Sequence, residues 1–413
     1  MAGLLSRCLP QQKEGRYSLT SLDFFWKWHR SVILDTSLQV VHGLYASVYV
    51  AAWLRLLGAK VGRDAEVSTV EGIVPELLEL GDESFIADGA MLGDEEQRGG
   101  WMTLKHTRIG NRSFIGNGAY VADGTIFPED VLLGVQSSAP TNEQMESGQT
   151  WMGAPPMLLP ARETIPPQDP SLTFRPSRAR RVARGLIEVW RMIVPPAFVI
   201  AIGYVTVYET FSYLEESDGI GFMVALTCAG LIYAGLAFAF VFVSKWFLIG
   251  RYRPRLAPMW TLFVWTSEAV TILHESLAVP ALLDFLRGTP MLPWAFRSLG
   301  VTIGHGVWLN TTDLTEFDCV EIGDEAELNA LSGPQTHLFE DRVMRIGRVT
   351  IGRRATLGVR TTVLYDGSVG DECRLGPLTL VSKGEHIPCG TCWEGTPATP
   401  SCCQSRSPWP PAA

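Results

Sequence analysis

Charge is scarce in this chain. Of 413 residues only 19% are Asp, Glu, Lys or Arg, against 46% that are hydrophobic. That balance is too apolar for an ordinary soluble enzyme and too polar for a pure transporter, and it suits a mixed membrane and soluble architecture. Basic charge is scarcer still. A net charge of -9 argues against nucleic acid as a partner, because phosphate binding needs a basic face. The N-terminal MAGLLSRCLPQQKEGRY lacks the apolar stretch of a secretory signal. The body lacks the cysteine spacing of a disulfide framework, since most of the eight cysteines lie at or beyond Cys373, and a reducing compartment is expected. There is no glycine-rich nucleotide phosphate loop, so ATP is not expected to bind. The length allows two or three domains.

What the chain does have is long uncharged runs. Residues 192–208 and 219–243 carry no charge, and roughly 20 such residues span a bilayer. The loop between them is acidic (Glu215, Glu216, Asp218). Arg178, Arg180, Arg181, Arg184 and Arg191 flank one outer end, and Lys245, Arg251, Arg253 and Arg255 the other. Basic outer flanks predict a transmembrane hairpin with both ends on the cytoplasmic side. A third uncharged run, 36–54, reads as an interfacial or capping helix, with a third span as the alternative.

The chain also repeats itself. Leu57-Gly58 aligns with Leu299-Gly300 at an offset of 242, and the same offset joins Leu80-Gly81-Asp82-Glu83 to Ile322-Gly323-Asp324-Glu325. It joins Trp151 to Trp393 as well, with no insertion between. Inside each copy an aliphatic-Gly pair recurs in steps of six: Ile109, Ile115 and Val121, then Ile351, Leu357 and Val363. Hexads with one inward aliphatic residue and a glycine corner are what a triangular coil of short parallel strands requires. Matching interruptions fall at 92–107 and 333–349.

The predicted fold is therefore mainly β. It comprises two left-handed parallel β-helix domains of the hexapeptide-repeat type, a transmembrane α-helical hairpin and capping helices. The expected boundaries are 1–56 for membrane-proximal amphipathic helices, 57–165 for the first β-helix and 166–255 for the hairpin. Linking and capping helices follow at 256–298, the second β-helix at 299–398 and a disordered tail at 399–413.

Four runs are specific enough to suggest a family: HESL at 274–277, LRGTP at 286–290, TTDLTEFD at 311–318 and QTHLFEDRVM at 335–344. They resemble the C-terminal membrane region of poly-lysine-synthetase-type nonribosomal peptide synthetases, over about Phe24 to Pro397. The resemblance implies tandem acetyltransferase-like domains alternating with transmembrane pairs. It also implies amide-bond formation from aminoacyl groups held as carrier-protein thioesters. The family typically carries three such domains and this chain shows two, without the adenylation and carrier domains. A fragment, a split gene product or a partner acting in trans would each account for that.

Acyl transfer to an amine needs a base near the nitrogen. His337, in the second interruption beside Glu340, Asp341 and Arg342, is the leading candidate, and His106 in the first copy is the second. Asp313, Glu316, Asp318 and Arg342 are candidates for holding substrate. Cys389, Cys392, Cys402 and Cys403 are too closely spaced to read as a zinc site, and no metal is expected. No tightly bound cofactor is expected either; the donor is a phosphopantetheine thioester or an acyl-CoA. Expected partners are the membrane, a carrier protein or synthetase module in trans, a small amine or amino acid, and another coil packed alongside. The alternatives are a CoA-dependent acetyltransferase and a non-catalytic scaffold for a synthetase.

Overall fold

The computed structural model describes residues 9–40, 42–162, 165–214 and 219–402; most of the expected tail, from residue 403, lies outside them. The chain divides into two compact units, Met1–Met192 and Ile193–Ala413. Both are mainly β and rich in short parallel strands. In the second unit one sheet stacks Thr302–Ile303, Val320–Ile322, Val349–Ile351, Ser368–Val369 and His386–Ile387. A second sheet begins Trp308–Leu309, Glu327–Leu328, Thr356–Leu357, and a third stacks Gly333–Gln335, Thr362–Leu364 and Leu380–Val381. The chain visits the sheets in rotation, so that Ile351 pairs with Val369 and Val369 with Ile387.

The hexad sets this core. Ile351, Leu357, Val363, Val369, Leu375, Val381 and Ile387 are all buried, as are Ile109, Ile115, Val121, Phe127 and Leu133 in the first unit. Corner chemistry differs from the expectation. The residues three places after each inward aliphatic take the left-handed conformation, and Arg354, Arg360, Asp366, Glu372 and Leu378 do so without being glycine. The glycine directly after the aliphatic answers a different need. A Cβ on Gly352 would sit 2.5 Å from the carbonyl carbon of Gly370, so glycine is required there because the next turn of backbone passes too close.

Each unit has the same attachments. In the first, β1 (Gly15–Ser18) leads into helix α1 (Leu22–Val40) and, after a short 3-10 turn, α2 (Val50–Leu57). The first interruption folds as a hairpin of β2 (Glu96–Arg98) and β3 (Trp101–Leu104), and β1 pairs antiparallel with β3. Two long helices follow, α3 (Arg178–Leu214) and α4 (Gly219–Leu248). The second unit then repeats the opening with β4 (Arg255–Pro258), α5 (Leu262–Leu273) and α6 (Met291–Leu299), and its interruption is a hairpin of β5 (His337–Glu340) and β6 (Val343–Ile346), with β4 on β6.

The single helix expected over 36–54 is broken instead between α1 and α2. Tyr45, Val50 and Leu54 of that run join the core of the coil, which explains its lack of charge without a membrane. α2 and α6 end alike on left-handed Gly58 and Gly300. Arg55 donates to the Val61 and Gly62 carbonyls, and Arg297 to those of Ile303 and Gly304. The expected tail also starts too early: Thr399–Ser401 is a strand paired with Cys392–Glu394. Cys392 is disulfide-bonded, while Cys228, Cys319 and Cys373 in the body are free.

α3 and α4 are both long and apolar enough to cross a membrane. Their apolar windows are mostly exposed, only 22% and 17% buried. The basic flank of α3 is partly consumed in the first unit. Arg184 pairs with Glu66 and Glu188, and buried Arg191 donates to the Ala46 carbonyl.

Candidate active site

The site lies in the second unit, where β5 leaves the coil. The run from Thr311 to Asp318 crosses beneath that hairpin and ends in a single 3-10 turn, Phe317–Cys319. Glu316 precedes the turn in the left-handed conformation, φ 40 and ψ 52, which is costly for a residue with a Cβ. The turn places its carboxylate against the first residue of β5. Glu316 Oε2 is 2.7 Å from His337 Nδ1 and accepts a hydrogen bond from Thr336 Oγ1 at 2.6 Å.

Glu316 is fully buried and His337 keeps 20% of its side-chain surface. Burial alone would push the Glu316 carboxyl up. The His337 charge, and the hydrogen bonds from His337, Thr336 and Thr315, outweigh burial and hold it below the usual carboxylate range. An ionised Glu316 fixes the tautomer of its partner. With Nδ1–H donating to the carboxylate, Nε2 becomes the basic nitrogen, which is the orientation that a general base requires.

The surrounding residues come from the other specific runs. His274 Nε2 donates to the Thr312 carbonyl at 3.3 Å, and Arg287 donates to Thr312 Oγ1 at 3.1 Å. The His274 ring packs on Phe296 and Phe317. Burial pushes the His274 imidazole down to about 4, so it is neutral. Residues from HESL, LRGTP, TTDLTEFD and QTHLFEDRVM thus converge on one place.

The candidates separate into those the structure brings together and those it does not. Glu316, expected to hold substrate, is buried and bonded to His337 and Thr336. Asp318 Oδ2 accepts from Lys245 Nζ at 2.8 Å and from the Tyr252 amide at 3.0 Å, so it is committed to the fold. Glu340 accepts from Tyr365 and Lys383 on successive coil turns and clamps the hairpin down. Asp341 and Arg342 are the two-residue turn between β5 and β6, both with positive φ, and Arg342 is buried with its carbonyl accepting from Met259. Asp313 is exposed. His106 belongs to the first unit and is exposed, its amide bonded to Glu14. The sequence reading missed Thr336, His274, Thr312 and Arg287, although all four lie within the runs that signalled a family. Among the described residues no group of three His, Cys, Asp or Glu is placed to hold a metal.

With this geometry in hand, comparison with known proteins is informative. No family model matches the chain. It is 53% identical over 399 residues to the delta-poly-L-ornithine synthetase of Acinetobacter baumannii (strain AB307-0294). The resemblance to a poly-amino-acid synthetase holds. The match takes in 97% of this chain and 30% of the relative, so the chain spans about a third of that protein's length. Among solved structures, an acetyltransferase with hexapeptide repeats from Vibrio cholerae is 14% identical over 27% of this chain and 78% of its own, with a TM-score of 0.23. A soybean serine acetyltransferase is 14% identical over 44% of this chain and 74% of its own, with a TM-score of 0.21. At those scores no argument rests on them.

Proposed function

We propose that the second unit is an acyl-transfer module that forms amide bonds, with His337 as general base and Glu316 as the residue that orients it. The observation that carries this reading is the dyad itself: a buried carboxylate 2.7 Å from the histidine of a protruding hairpin. In the reaction an amine nitrogen attacks the carbonyl carbon of a thioester, forming the C–N bond. His337 Nε2 takes the proton from nitrogen, the C–S bond breaks, and the proton passes to the departing thiolate. The similarity to a poly-ornithine synthetase favours an aminoacyl thioester on a carrier protein, held by phosphopantetheine, over acyl-CoA. A synthetase module would supply it, in the same polypeptide or in trans.

The three-sheet coils are read as left-handed β-helices, a fold in which neighbouring coils commonly pack together, and α3 and α4 as a transmembrane hairpin. Both coils then face the cytoplasm, because exposed Arg178, Arg181, Arg251, Arg253 and Arg255 flank the apolar segments. The first unit is read as a non-catalytic support for the second.

The test is product formation by the full chain in detergent, offered aminoacyl-loaded carrier protein or acetyl-CoA with free amines. Amide product from the carrier, lost in His337→Ala, is the expected result. Acetylated amine from acetyl-CoA would move the assignment to the CoA-dependent class. Product formation unchanged by His337→Ala would overturn the role of the dyad.

A further inference from the structure

Lys245 sits in the last turn of α4, an otherwise apolar helix, and its side chain is completely buried. Burying an ammonium is expensive unless it is paired. Here Asp318 Oδ2 accepts from it at 2.8 Å, and the Trp246 ring lies 3.4 Å away. Asp318 is itself locked. Its Oδ2 also accepts from the Tyr252 amide, and its Oδ1 packs so closely on Gly300 that a Cβ there would come within 2.6 Å. Asp318 lies in the same 3-10 turn that begins after Glu316, and the Cys319 amide closes that turn on the Glu316 carbonyl at 2.7 Å. A left-handed glutamate persists only where its surroundings over-determine it.

We infer that Lys245 is a positioning residue: by clamping Asp318 it holds the Phe317–Cys319 turn, and through that turn it sets the Glu316 carboxylate against His337. The inference rests on the acyl-transfer reading for its functional meaning but not for its geometry. The first unit carries the same turn clamped differently. There Glu76, the counterpart of Asp318, pairs with Arg30 of α1. The second unit has transferred the clamp to the foot of an apolar helix, so the base of that helix becomes part of the site.

The experiment follows the His337 imidazole by NMR in the full chain, labelled on histidine and held in detergent, with the signal assigned by its loss in His337→Ala. Glu316→Gln displaces the titration midpoint of His337. Lys245→Met is expected to move it in the same direction by at least roughly half as much, with Lys245→Arg returning it close to wild type. In the amide-forming assay Lys245→Met is expected to lower kcat by about tenfold or more while KM for the donor changes less than about twofold. A midpoint unmoved by Lys245→Met, in a protein where Glu316→Gln moves it, would overturn the inference. If Lys245→Met does not fold, Asp318→Asn carries the same test, because the amide keeps an acceptor for Tyr252 but loses the charge that holds Lys245. If no variant affects product formation but the midpoints move as expected, the positioning role stands and the acyl-transfer reading falls.

Discussion

The two units share a scaffold and differ where chemistry would occur. At the offset of 242, Glu316 corresponds to Val74 and His337 to Glu95. Val74 is buried in an apolar cluster with Leu77, Met102 and Leu104, against which Tyr17, Leu19 and Phe24 pack. Glu95 is paired with Lys27 of α1. The hairpin and its edge strand survive in both, so the first unit keeps the framework of a site and fills it with a hydrophobic cluster and an ion pair. A duplicated fold can therefore retain its architecture while only one copy carries the histidine–carboxylate pair. The difference also shows that the hairpin does not depend on the dyad to fold.

The largest expected effect tests this division directly. His337→Ala, and Glu316→Gln beside it, should lower amide formation by about 10²–10⁴-fold, the range that general-base catalysis supplies. Glu95→Ala at the matching place in the first unit should leave the rate unchanged. Comparable losses from Glu95→Ala would mean that the first unit contributes chemistry after all.

The next effect reverses the exchange. Val74→Glu puts a carboxylate into the cluster of the first unit, where Glu95 stands at the place of the histidine. An uncompensated buried charge costs about 3–5 kcal/mol, so thermal denaturation of the variant should show a clear loss of stability. Valine at the matching place in the second unit, Glu316→Val, should cost less stability than that, because it removes a charge from an interior rather than adding one. An unaltered melt for Val74→Glu would show that the cluster is open to water.

Much of this was legible in the sequence because hexad spacing is a local signal that burial must obey. The aliphatic residues from Ile351 to Val363 were named from their spacing, and each proves buried. The duplication was visible for the same reason, although it was read only from Leu57 onward. The earlier part repeats at an offset of 240, as Leu22 and Leu262 at the starts of α1 and α5 show, and that two-residue slip hid it. The site was half legible. His337 and Glu316 were both singled out, but their pairing depends on a turn in an unusual backbone conformation that no periodicity announces. Asp318, Glu340 and Arg342 looked like active-site residues because charge clustered beside His337. The structure commits Asp318 and Glu340 to charged partners and makes Arg342 part of a tight turn, and such partners, distant in sequence, cannot be found by reading along the chain.

The smallest effect concerns His274, whose counterpart in the first unit is Leu34 at the offset of 240. Its imidazole is lowered to about 4 from an ordinary 6.5 by burial. The unfolded chain therefore binds a proton near 6.5 that the folded chain refuses until about 4. Stability rises with pH wherever the unfolded state holds more protons, so this residue costs stability progressively as pH falls from about 6.5 to 4, and nothing above that window. The full shift corresponds to about 3 kcal/mol at the acid end. His274→Leu, which installs the residue of the first unit, should remove that slope from the denaturation of the protein. Glu316 acts in a separate window: its folded value lies below 4.5, so its contribution is present above 4.5 and is lost only as pH falls through that lower folded value. Acid sensitivity between 6.5 and 4.5 that survives His274→Leu would show that the slope belongs to another group, and that the buried histidine titrates no differently from a solvated one.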